Sequence, residues 1–152
     1  MLPHVLLAVW IGLVAPEGGD RAESARTLEV AVDRLDVLAE ADDNAFATAT
    51  LARGDRVAVR RALANGWLAI APPRGSFHWV DEADVEPLRE GRLFVKSPKT
   101  LLRLGRDDLD RPGPPRRMLL EGMVLLAADR PPLIDRTGRR ERTWRAVAAG
   151  AD

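Results

Sequence analysis

The side chains able to do chemistry are few and poorly matched to one another. The chain of 152 residues has no cysteine, so neither a thiol nucleophile nor a disulfide framework is available. Its two histidines are His4, in an apolar N-terminal run, and His78, which excludes a histidine-rich metal site. Ser76 and His78 fall on one face of an expected strand, but no third group is placed to orient the imidazole as a nucleophilic triad requires. His78 reads instead as a half-exposed strand residue. Asp81, Glu82 and Asp84, and likewise Asp107, Asp108 and Asp110, are the oxygen ligands that calcium takes. Neither group has the EF-hand spacing, and both read as solvated acidic loops. The expectation is therefore of no enzyme, no cofactor and no metal. Arg53-Gly54-Asp55 spells an adhesion tripeptide, but Gly54 and Asp55 are the residue types that turn a chain into a strand. Arginine doublets at Arg60-Arg61, Arg116-Arg117 and Arg139-Arg140 offer phosphate contacts. Against that, 23 Lys and Arg balance 23 Asp and Glu, so no global field draws a polyanion and no nucleic-acid partner is expected.

Binding through aromatic residues is what remains, and these are scarce: 5% of the chain, with no tyrosine. Trp67 and Trp79 lie in the stretch 51–79, with Trp10 and Trp144 near the two ends. The elements that position them follow from pattern. Residues 56–60, Arg-Val-Ala-Val-Arg, place Val57 and Val59 on one face and Arg56, Ala58 and Arg60 on the other, as a half-buried strand does. Asn65-Gly66 tolerate the positive φ of a tight reversal, residues 67–70 begin the next strand, and the Pro/Gly turn 72–76 leads to a third at 77–80. If Leu68 and Ile70 face the core, Trp67 faces outward or towards a groove; Phe77 and Trp79 share one face of their strand, core or groove. The candidate ligand-binding residues are Trp67, Trp79 and Phe77, with Asp55 and Pro73.

Residues 5–15 form an uncharged apolar run, short of the roughly 20 residues of a membrane span. The run suits the core of a signal peptide, although residues 1–4 carry no Lys or Arg. Residues 1–26 are expected to be leader and polar spacer, with export to the periplasm or cell envelope and no stable membrane span after processing. One or two short strands follow at 28–38, then a long loop at 39–50 pinned by Phe46. Further strands are expected at 91–95, 100–104, 118–127 with an interruption at Glu121-Gly122, and 144–147. Charged, Pro/Gly-containing loops fill 105–117 and 129–142. Leu51-x-x-Gly54-x-x-Val57 is echoed by Leu119-x-x-Gly122-x-x-Leu125, and Trp67-x-Ala69-Ile70 by Trp144-x-Ala146-Val147. The longer spacing of the second copy falls in the 129–142 loop, where insertions cost little. Such a duplication makes two small barrels.

The phrase Leu51-x-x-Gly54-Asp55-x-Val57-x-Val59, then Gly66-Trp67-Leu68-x-Ile70 and Trp79-Val80, resembles bacterial SH3-like (SH3b) domains. Trp67-Leu68-x-Ile70-x-Pro72-Pro73-x-Gly75-Ser76 is most similar to exported tandem SH3-like proteins of planctomycete-type bacteria. The resemblance implies an all-β protein of two tandem SH3-like barrels, 27–88 and 89–152, the second diverged and lacking its last strand. It implies a non-catalytic module of the cell envelope that recognises a peptide or protein partner, such as a cell-wall peptide. Trp67 stands where a Trp lines the ligand groove of SH3 domains. Asp81 and Asp84 stand where those domains use Pro and Tyr, which argues against polyproline ligands. The Gly-Asp-x-Val-x-Val phrase also resembles nucleic-acid-binding barrels of the KOW kind, and a structural accessory role is the other alternative.

Overall fold

The computed structural model describes residues 7–8 and 26–150; most of the expected leader and spacer lies outside them. The protein is all-β, with short 3-10 turns and no α-helix among the described residues. It forms two compact units that divide between Pro73 and Arg74 rather than at 88/89. Unit 1 contains β1 (Leu7–Ala8), β2 (Arg26–Glu29), β3 (Arg34–Leu38), β4 (Ala47–Ala52), β5 (Arg56–Ala62) and β6 (Leu68–Ile70), in the order β2-β5-β6-β1-β3-β4. The alternation of β5 does what its pattern demands: Val57 and Val59 point into a core with Val30, Val37, Leu51 and Ile70. β4 takes the last third of what reads as a loop, 47–50, because its half-buried Thr and Ala residues pair across to β3.

Unit 2 contains β7 (Phe77–Asp81), β8 (Val85–Pro87), β9 (Arg92–Val95), β10 (Thr100–Leu104), β11 (Pro115–Leu119), β12 (Val124–Leu126), β13 (Leu133–Asp135) and β14 (Arg142–Ala148). One sheet has the order β11-β10-β7-β14-β13 and the other β12-β9-β8. A bridge between Ala127 and Val147 joins them over a core of Val80, Val85, Leu93, Val95, Leu102, Leu119, Leu125 and Val147. Among the described residues no sheet closes into a barrel.

The two units repeat one register. Leu35 pairs with Leu51 as Thr100 pairs with Leu119, and the irregularity after Val37 recurs after Leu102. Leu28 pairs with Val57 as Leu93 pairs with Leu125. Val59 meets Ile70 as Ala127 meets Val147. The turn is also repeated: the N–H groups of Gly54 (φ 89°) and Gly122 (φ 90°) donate to the carbonyls of Val30 and Val95 at 2.9 and 2.8 Å. Positive φ at both positions is why Leu-x-x-Gly is legible twice.

One strand in each unit comes from outside the repeat. Between β3 and β6 lies β1, parallel to both; at the equivalent place between β10 and β14 lies β7, antiparallel to both. The place expected to lack its last strand is thus filled by residues expected to close the first barrel. Residues 67–80 therefore do not form one continuous sheet. β7 suits an interior position because Phe77, His78, Trp79 and Val80 are all buried, so both faces need cover. Gly105 shapes that position: a Cβ there would lie 2.5 Å from the Phe77 ring.

Candidate functional site

The residues singled out from sequence do not converge. Trp67 is only 6% exposed. Leu68 and Ile70 do face the main core of unit 1, and Trp67 does point to the other side, but there Leu38, Ala45, Ala47 and Leu63 pack over it. Ala45 and Ala47, from the segment that reads as a loop, join Leu38 and Leu63 in turning the expected groove face into a second small core. Asp55 belongs to the turn, its carboxylate accepting the Ala52 N–H at 2.8 Å, while Arg53 pairs with Asp33. The adhesion tripeptide is thereby used up locally. Pro73 is half-buried and lies at the end of unit 1. His78 is buried, not half-exposed, and the Ser76 hydroxyl has no hydrogen-bond partner, so the two form no dyad. The acidic groups turn to turns and to arginines: Asp81 accepts the Ala83 N–H, Glu82 meets Arg145 at 3.5 Å, Asp107 pairs with Arg130 and Asp108 with Arg106.

Phe77 and Trp79 are brought together, and with a third aromatic that sequence reasoning treated only as a repeat marker. Their rings meet edge-to-face at 5.0 Å, and with Trp144 and Ala146 they form a buried cluster on one face of the five-stranded sheet. Cations cover this cluster. The Arg130 guanidinium lies 4.0 Å from the Phe77 ring centre and that of Arg103 lies 5.6 Å from Trp144. Arg103 occupies the position that Leu38 holds in unit 1, where Leu38 packs on Trp67. Unit 2 thus has a charged cover where unit 1 has an apolar one.

Above Trp144 opens a groove of about 550 Å³, lined by Arg103, Arg111, Pro112, Asp135, the loop 137–140, Arg142 and Trp144. Its walls are what unit 2 has and unit 1 lacks. The offset between equivalent residues is 65 from Leu35 to Thr100, 68 from Leu51 to Leu119 and 77 from Trp67 to Trp144. Unit 2 therefore carries three extra residues between β10 and β11 and nine between β12 and β14. The first insertion lies in the loop that supplies Arg111 and Pro112, and the second in the segment that supplies Asp135 and 137–140.

The groove is electrostatically lopsided. Five arginines, at 103, 111, 139, 140 and 142, face one carboxylate, Asp135. The Thr137 hydroxyl and backbone N–H donate to Asp135 at 2.6 and 2.9 Å and hold it below the usual carboxylate range. The Trp144 indole and the Arg142 charge add to that effect. Arg103 is held by donating to the Gly113 carbonyl at 3.1 Å, while its Nε is buried without an acceptor. The signal for this site was present as Arg139-Arg140 within the insertion, beside a Trp of the repeat. No protein-family model matches the chain, and neither the curated proteins nor the solved structures contain a match to it.

Proposed function

We propose that this chain is a non-catalytic, SH3-like binding module of the cell envelope that recognises a peptide or protein partner, and that the groove of unit 2 is its binding site. The observation that carries this reading is the convergence of both unit 2 insertions on one groove over a Trp–Arg floor. Insertions placed at random around a small β unit have no reason to meet, and binding residues sit preferentially on loops held by a rigid scaffold. The repeated register of the two units supports the SH3-like reading; the apolar run 5–15 supports export, while Leu7–Ala8 of that run pairs as β1 between β3 and β6, which favours its retention in the folded chain. Binding moves from Trp67, Asp55 and Pro73 to the Trp144 face, with Phe77 and Trp79 acting as its buried support.

Peptide display on the full chain, followed by fluorescence polarisation of an enriched peptide, tests the proposal. Gly138→Trp plants an indole in the wall of the groove, at an exposed position. Loss of binding with an unchanged circular dichroism spectrum is the expected result. Full retention of binding by Gly138→Trp overturns the assignment of the site.

A further inference from the structure

Resting on the groove as the partner site, we propose that its ligand is an acidic one: an extended peptide segment whose Asp or Glu side chains meet the groove arginines. Arginines elsewhere in the same two loops are already engaged, Arg106 by Asp108, Arg130 by Asp107 and Arg136 by Glu141. Arg111, Arg139 and Arg140 have no such carboxylate partner among the described residues. The loops hold enough acid to neutralise their outer arginines and leave the groove set free. A guanidinium fork matches a carboxylate in two-point geometry, so a row of such forks favours a ligand with several carboxylates along its length.

The floor points the same way. The Arg103 guanidinium lies 5.6 Å from the centre of the Trp144 ring and donates to the Gly113 carbonyl at 3.1 Å, so the base of the groove carries a fixed positive charge that complements an anionic ligand. Two features favour a peptide over a nucleic acid. Single strands bind to exposed aromatic platforms, whereas Trp144 is the groove's one aromatic side chain and it lies buried beneath Arg103. Asp135 also stands among the arginines, where its carboxylate can accept a backbone N–H of an extended peptide.

Isothermal titration calorimetry on the full chain tests this, with an oligoglutamate peptide, a Gly-Ser peptide and an oligothymidylate of equal length, and inorganic phosphate. Oligoglutamate is expected to bind, to weaken as salt rises, and to lose at least about tenfold in affinity in Arg111→Glu/Arg140→Glu at low salt. Arg60→Glu, an exposed charge reversal in unit 1, should leave that affinity unchanged. Tighter binding of oligothymidylate, or saturation by phosphate alone, overturns the peptide assignment. Gly-Ser binding as tight as oligoglutamate, insensitive to the double reversal but abolished by Gly138→Trp, overturns the acidic preference while leaving the groove as the binding site. If no probe and no displayed peptide responds to Gly138→Trp, both readings fail.

Discussion

Trp67→Ala separates a core tryptophan from a groove tryptophan. The side chain is 6% exposed and its cover is Leu38, Ala45, Ala47 and Leu63. A tryptophan buries roughly 150–250 Å², which at ~25 cal/mol per Å² amounts to about 4–6 kcal/mol before relaxation. Collapse of the small alanine-rich lid recovers part of this, so the expected cost is about 4 kcal/mol, within the range of about 3–5 kcal/mol for Trp truncations in cores. The assay is urea denaturation followed by amide signals of unit 1, because two units need not unfold in one step. Ligand affinity at the unit 2 groove should be unchanged under conditions where the variant remains folded. A cost below about 1 kcal/mol, or a loss of binding with stability intact, would refute the burial argument and restore Trp67 to the binding surface.

Gly54→Ala and Gly122→Ala meet no atom within 4 Å but sit at φ 89° and 90°, so each should cost about 1–2 kcal/mol of backbone strain; a loss in only one of them contradicts the repeated turn. Removing residues 1–25, as processing of a leader would, takes β1 from between β3 and β6 and leaves facing edges without a partner; sedimentation should then become concentration-dependent, and a strict monomer would count against the role of β1. Asp135 has a folded pKa below its ordinary value of 3.8, so its stabilising contribution is present above that value and is lost as pH falls through the folded pKa. Thr137→Val removes the side-chain hydrogen bond that lowers this pKa most, and an NMR titration of the carboxylate should move upward.

Much of the fold was legible because it rests on local pattern. The alternation at Val57 and Val59, the two Leu-x-x-Gly turns and the repeated Trp-x-Ala-aliphatic phrase each encode a register that the strands obey. The direction of Trp67 was legible for the same reason, since Leu68 and Ile70 do face the core. What covers Trp67 was not, because Ala45 and Ala47 carry no strong propensity and their packing is decided by long-range contact. The placement of β7 was missed because its residues fit the family phrase after Ile70, while its partners β10 and β14 lie far along the chain. The groove is not legible because 105–117 reads only as a charged Pro/Gly-containing loop and 129–142 as a tolerated insertion, and periodicity says nothing about where two loops meet in space.

The substitution Arg103→Leu tests the central claim most directly, because it restores in unit 2 the residue that covers the equivalent tryptophan in unit 1. An apolar cover over Trp144 should keep the fold, as Leu38 does over Trp67, while removing the floor cation from the groove. Calorimetry of Arg103→Leu against oligoglutamate, with its thermal unfolding measured in parallel, is the decisive experiment. The account predicts unchanged or raised thermal stability together with an affinity reduced by about tenfold or more. Oligoglutamate binding at wild-type affinity by a folded Arg103→Leu would contradict it.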